Sequence, residues 1–194
     1  MFFGLFKRVN NVPYLCFQGV CIYLINSAFY YIKEAIPKGK GKYMKKESLY
    51  LDTSVPSAYF DERARERKEA TIKFWKEVLP YYKVNISEIT LRELDDIKDM
   101  TLRKEVKALV KGFKILKINK KIRELAKIYI QRGVFRERYL DDALHVAITT
   151  YYEITYLVSW NFEHLVKVKT RKWVNSVNIL EGFREIEIVS PQEL

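Results

Sequence analysis

Five short apolar runs, at residues 48–52, 83–86, 114–116, 156–159 and 185–189, alternate with longer stretches of helical spacing, and that alternation restricts the fold more than any other feature. Runs of this length are too short for helices and read as buried strands. Strands that alternate with helices imply a mostly parallel sheet covered on both faces, a three-layer α/β sandwich. The helical stretches carry their own punctuation. Residues 63–79 space Ile72, Trp75, Val78 and Leu79 among charges and stop at Pro80; residues 87–96 and 100–110 follow, the latter before Gly112. Asn119 is placed to cap a helix over 120–132 that Gly133 closes. Residues 138–152 contain a helix opened by Asp141 or Asp142, and 172–180 one ended by Gly182.

The first run, Ser48-Leu49-Tyr50-Leu51-Asp52, ends on an acid and is followed by Thr53-Ser54-Val55-Pro56-Ser57, a strand-to-helix turn. Open parallel sheets bind ligands at the carboxyl ends of their strands, so an acid there is a site residue before it is a surface residue. Two further acids stand in similar contexts, Glu93 in Thr90-Leu91-Arg92-Glu93-Leu94 and Asp142 at the head of Asp142-Ala143-Leu144-His145. Carboxylates converging on one cleft repel unless a cation joins them, and all-oxygen ligand sets suit Mg²⁺ or Mn²⁺. Each acid also has a structural reading. Asp52 could cap the next short helix, and Glu93 could close a capping box with Thr90 unless the helix begins near Ser87. Glu88 is the rival of Glu93. Asp141 is assigned the cap and Asp142 the site. His145, three residues beyond Asp142, reads as a hydrogen-bonded structural histidine near the same helix face, and His164 as a surface residue.

The formal net charge of +11 suggests a polyanionic partner, but residues 1–46 alone carry +7 and residues 47–194 only +4. Nucleic-acid binding therefore cannot be argued from net charge and needs a local basic patch. Arg63, Arg65, Arg67, Lys68 and Lys73 form one such cluster on a helix face that is otherwise simply solvated. Residues 9–32 hold no charge and are long enough to span a bilayer as a helix, with the heavier positive charge on the side that would keep the main domain cytoplasmic. The alternative is an over-extended start: Met44 stands just before the first strand, and Gly39-Lys40-Gly41-Lys42 has linker composition. The expected organisation is thus an N-terminal extension over 1–46 and the main α/β domain over 47–194. Cys16 and Cys21 provide neither a zinc site nor a disulfide framework, which fits a reducing cytoplasmic location.

Leu51-Asp52-Thr53-Ser54, Ile86-Ser87 through Glu93-Leu94, Asp142-Ala143-Leu144-His145 and Leu157-Val158-Ser159-Trp160-Asn161 follow one another in the order of a PIN domain. Over about residues 48–194 the chain resembles the VapC-type toxin branch of that family. The resemblance implies a metal-dependent ribonuclease directed at single-stranded RNA, with one or two Mg²⁺ or Mn²⁺ ions held by Asp52, Glu93 and Asp142. Thr53, Ser159 and Asp141 would support them. The fourth acidic position of the family is Asn161 here, which can offer a carbonyl oxygen but no charge. The resemblance further implies a small antitoxin partner and a homodimer, and the missing acid leaves a second reading, an RNA- or protein-binding module with little cleavage. A haloacid-dehalogenase-type phosphatase would need a second acid two positions after Asp52, where Ser54 stands.

Overall fold

The computed structural model describes residues 46–194 in full and, before them, the backbone of four strands. The chain divides into two compact units, Met1–Lys45 and Lys46–Leu194.

In the first unit, β1 (Phe6–Val9), β2 (Val12–Phe17), β3 (Val20–Ile25) and β4 (Ala28–Ile32) form an antiparallel sheet in sequence order, with Val9 opposite Val12, Phe17 opposite Val20 and Ile25 opposite Ala28. This corrects the expectation of a spanning helix over 9–32. The stretch is rich in β-branched and aromatic residues, which favour strands. It is also broken at regular intervals by Asn10-Asn11, Gln18-Gly19 and Asn26-Ser27, dipeptides of the kind that join hairpins. No helix among the described residues is long and apolar enough to cross a membrane. The Gly39-Lys40-Gly41-Lys42 stretch and Met44 lie outside the described residues.

The second unit is the three-layer α/β sandwich that the alternation predicts and that the PIN resemblance implies. Its strands are β5 (Ser48–Leu51), β6 (Lys83–Ser87), β7 (Lys114–Leu116), β8 (Tyr156–Val158) and β9 (Glu187–Val189). They lie in the order β7-β6-β5-β8-β9, and every pairing is parallel. Between them run α1 (Ser54–Ala58), α2 (Arg65–Glu77), α3 (Glu88–Asp95), α4 (Met100–Leu109), α5 (Lys120–Gln131), α6 (Leu140–Tyr151) and α7 (Val168–Leu180). Side chains alternate across a strand, and β5 shows the consequence. Leu49 and Leu51 join Phe74, Ile86, Leu94, Val106 and Val158 in the core on one face. Tyr50, between them, joins Ile122, Tyr129, Val146, Ile148 and Leu157 on the other.

The helix signals mostly fix the ends. Asn119 Oδ1 accepts the Ile122 N–H at 2.9 Å and caps α5, and Gly133 leaves that helix at φ +75°, a conformation glycine takes without strain. Two expectations change. Helix α7 begins at Val168 rather than Lys172, because Thr170 is buried with Val174 and Val177 while the basic run around it hides the periodicity. Helix α6 begins at Leu140 after a 3₁₀ turn over Glu137–Tyr139, so neither Asp141 nor Asp142 is its N-cap; both lie in its first turn.

Candidate active site

The sheet order sets the place of the site. Strand β5 is central; the chain leaves it for β6 and β7 on one side and returns for β8 and β9 on the other. The crevice at that reversal lies at the carboxyl end of β5, where Asp52 stands. Its backbone N–H extends the ladder by donating to Val158 O at 3.0 Å, which turns the side chain into the crevice with 6% of the residue exposed.

Two serines hold that carboxylate. Ser54 Oγ donates to Asp52 Oδ2 at 2.5 Å and Ser159 Oγ donates to the same oxygen at 2.6 Å. Each serine in turn accepts a backbone N–H from the turn after β8, Ser54 from Trp160 and Ser159 from Asn161, both at 2.9 Å. Asp52 is therefore anchored through Oδ2 and presents Oδ1 to the crevice, 3.5 Å from His145 Nε2. It does not cap α1: Thr53 occupies that position and makes no capping bond.

Glu93 enters from α3. Ser87 caps that helix and closes its capping box with Thr90, which frees Glu93 from the structural reading. Glu88, the rival acid, turns away and accepts the Ile118 N–H at 3.0 Å. Thr53 Oγ1 donates to Glu93 Oε2, and His145 Nε2 lies 3.1 Å from the same oxygen. Burial favours the neutral acid, but the hydrogen bonds from His145 and Thr53 and the nearby positive charges outweigh it and hold Glu93 below the usual glutamate value.

His145 and Asp142 share a face of α6, three residues apart. Burial of Asp142 and the negative charge of Asp52 push its carboxyl up to about 6 against the opposing pull of His145, His164 and Asn161. His145 is 1% exposed and hydrogen-bonded at both ring nitrogens, Nδ1 to the Tyr50 hydroxyl at 2.6 Å and Nε2 toward the carboxylates. Burial opposes a charged imidazole, but Tyr50, Glu93 and Asp52 prevail and raise His145 well above the usual histidine value. The histidine is thus the centre of the cluster. The signal for this in the sequence is Tyr50, a tyrosine in an aliphatic buried strand whose hydroxyl must find a partner. Besides His145, that hydroxyl meets Ser87 Oγ at 2.7 Å.

The remaining residues fall as follows. Asp141 lies outside the cluster and pairs with Arg92 at 2.6 Å on the half-exposed surface. Asn161 Nδ2 donates to Asp142 Oδ1 at 3.0 Å, while Asn161 Oδ1 accepts the His164 N–H at 2.9 Å. The backbone donor fixes the amide orientation, so the carbonyl oxygen expected to face a metal faces His164 instead. His164 is not a plain surface residue: its ring stacks on Tyr139 with centroids 3.8 Å apart. The basic cluster at the start of α2 and just before it is largely neutralised by neighbouring acids, Arg63 and Arg67 by Asp61, Arg65 by Glu69 and Lys68 by Glu62, while Lys73 has no ion pair among the described residues.

One ligand atom each from Asp52, Glu93 and His145 lie within 4.8 Å of one another. Two carboxylates and an imidazole at that separation form a donor set fit for a divalent cation once the cation displaces the proton from His145 Nε2, with Mn²⁺ accepting the nitrogen more readily than Mg²⁺.

No family profile and no curated protein matches the sequence. Among solved structures, the chain is similar to a toxin–antitoxin complex from Klebsiella pneumoniae at 22% identity, covering 63% of this chain and 94% of that one with a TM-score of 0.47. It is similar to VapC20 of Mycobacterium tuberculosis, a sarcin-ricin loop cleaving toxin, at 18% identity over 72% of this chain and 98% of that one, with a TM-score of 0.48. It is also similar to VapBC2 of Rickettsia felis bound to a promoter DNA fragment, at 14% identity over 73% of this chain and 97% of that one, with a TM-score of 0.45.

Proposed function

We propose that this chain is a divalent-metal-dependent endoribonuclease of the PIN type that cleaves single-stranded RNA and serves as the toxin of a toxin–antitoxin pair. The observation that carries the reading is the convergence of Asp52, Glu93 and His145 within 4.8 Å at the carboxyl end of the central strand, with Asp142 beside them. Asp52, Glu93 and His145 would hold the ion, Mg²⁺ or Mn²⁺, with Asp142 bordering it. Such an ion supplies positive charge next to a scissile phosphate and acidifies water. The chain's own residues do the rest. Ser54, Ser159 and Thr53 fix the carboxylate orientations so that no rearrangement is needed when substrate arrives. Asp142, pushed up to about 6, is suited to take a proton from the attacking water near neutral pH. Residues 47–194 are the proposed nuclease domain and residues 1–46 an extension to it. An antitoxin partner, a homodimer and a cytoplasmic location belong to the same proposal.

One observation favours a second reading, a binding module with little cleavage. Asn161 brings no fourth charge, and its oxygen is committed to His164. The two readings part in one assay. Purified protein is incubated with single-stranded RNA in Mn²⁺, in Mg²⁺ and in excess chelator. Cleavage that requires the ion supports the nuclease; undiminished cleavage in chelator removes the metal mechanism; binding without cleavage in either ion establishes the module.

A further inference from the structure

Some surface cations of this domain pair with neighbouring acids, among them Arg63, Arg65, Arg67 and Lys68, Arg92 with Asp141 and Lys107 with Asp95, and others stand singly. One region gathers unpaired cations around a single opening. Arg136, Arg138, Lys167 and Lys169 all line a single cleft of about 300 Å³, all are exposed, and none forms an ion pair among the described residues. The one acid at its edge, Glu163, is drawn toward His164 at 3.5 Å. Four like charges around one opening repel each other, and that cost is recovered only when an anion enters.

The cleft also carries aromatic surface. Tyr139 and His164 stack within it, Arg138 lies over Tyr139 at 4.7 Å, and Lys169 lies over Trp173 at 4.5 Å with that indole 42% exposed. Cations interleaved with aromatic faces are the pattern that tracks a single strand, phosphates on the charges and bases on the rings. Its walls are continuous with the carboxylates. Tyr139 directly precedes α6, which carries Asp142, and the His164 N–H bonds Asn161, which bonds Asp142.

We propose that this cleft is the subsite that holds a single-stranded RNA segment beside the cleaved bond, with Arg136, Arg138, Lys167 and Lys169 as phosphate contacts and Trp173 as a stacking surface. The proposal rests on the nuclease reading for its substrate but not for its measurement. Binding of a short fluorescent 2′-O-methyl RNA, which resists cleavage, is followed in chelator with the full chain across roughly 0.05 to 0.3 M salt. The paired variants Arg136→Gln/Arg138→Gln and Lys167→Gln/Lys169→Gln should each bind about 25-fold more weakly at 0.1 M salt and lower the salt slope by about 1.4, the amount expected for two single-strand phosphate contacts. Arg63→Gln/Arg65→Gln, which removes cations already paired, should change affinity less than about twofold. The charge of residues 1–46 is common to all variants and cancels. Equal losses in all three pairs, or unchanged affinity in both cleft pairs, overturn the subsite. Wild-type cleavage with unweakened binding by the cleft variants sinks the subsite alone. Weakened binding by the cleft variants in a protein that cleaves no RNA supports the subsite and sinks only the nuclease reading.

Discussion

Asn161 donates its side-chain amide to Asp142 Oδ1 at 3.0 Å while its oxygen accepts the His164 N–H at 2.9 Å, so a neutral residue hydrogen-bonds the acid beside it where the PIN resemblance implies a fourth acid. Asn161→Asp keeps the bond to His164 and replaces that donor with a second carboxylate. Like charges at such a distance cannot both ionise cheaply. In chelator at pH 7.5 the variant should lose about 1–2 kcal/mol, a melting shift of several degrees, and added Mn²⁺ should restore most of it. Melting curves with and without Mn²⁺ check this; a loss indifferent to the metal would separate position 161 from the ion.

Asp142 makes stability depend on pH in a defined direction. Its carboxyl stands at about 6 in the fold, against about 4 in the unfolded chain. Between those values the folded state binds more protons than the unfolded one, so the contribution of this residue falls as pH rises from 4 to 6 and stays low above it. Asp142→Asn removes the dependence. Without metal, the variant's stability advantage over wild type should grow by about 2 kcal/mol between pH 4 and pH 7.5. Urea unfolding of both proteins at the two pH values measures the difference, in which the titrations of Glu93 and His145 largely cancel. An advantage equal at both pH values would refute the assignment.

Asp52→Asn tests the reaction. The apolar strand before it needs no charge, and an asparagine oxygen can still accept from Ser54 and Ser159, so the fold should survive. Removing the charge should cost cleavage roughly 100-fold or more, a few kcal/mol of lost charge stabilisation. Turnover at the wild-type level, with an unchanged melting curve, would move the chemistry elsewhere.

The sheet was legible because it follows a local rule. Short continuous apolar runs, buried on both faces, give β5 and its neighbours, and an acid at the end of the central one falls at the crevice. What was hidden depends on long-range contacts. His145 stands one turn from Asp142 on α6, but its place among the carboxylates is set by Tyr50, 95 residues away in the chain. The orientation of Asn161 is decided by a backbone donor at His164, which no residue-type pattern encodes. The four cations that meet at the cleft come from two segments, one before α6 and one after β8, whereas in the cluster that is contiguous and conspicuous in the sequence Arg63, Arg65, Arg67 and Lys68 are spent on Asp61, Glu62 and Glu69. In the first unit an uncharged run of membrane-spanning length satisfies the length rule for a helix, and the antiparallel pairing of four short strands does not follow from that rule.

Both hydrophobic clusters and all five parallel strands lie within residues 46–194. A chain beginning at Met44 should therefore fold cooperatively on its own, remain monodisperse in solution and match the full chain in the cleavage assay. Calorimetry and the cleavage assay check both points, and a broad, non-cooperative transition in the shorter chain would show that the first unit completes the fold.

The Tyr50 hydroxyl is the last test, because it joins core to site. It contacts His145 Nδ1 at 2.6 Å, Ser87 Oγ at 2.7 Å and Thr90 Oγ1 at 3.3 Å, all in buried surroundings. Tyr50→Phe keeps the ring in its core cluster and strips the partner from the buried imidazole, at an expected cost of about 1–3 kcal/mol. The loss should belong mainly to His145, since Ser87 and Thr90 retain each other through the capping box. In a double-mutant cycle with His145→Gln, the Tyr50–His145 coupling should therefore be about 1 kcal/mol or greater. Additive losses would show that the hydroxyl serves the cap of α3 instead, and that His145 is held in place by the carboxylates alone.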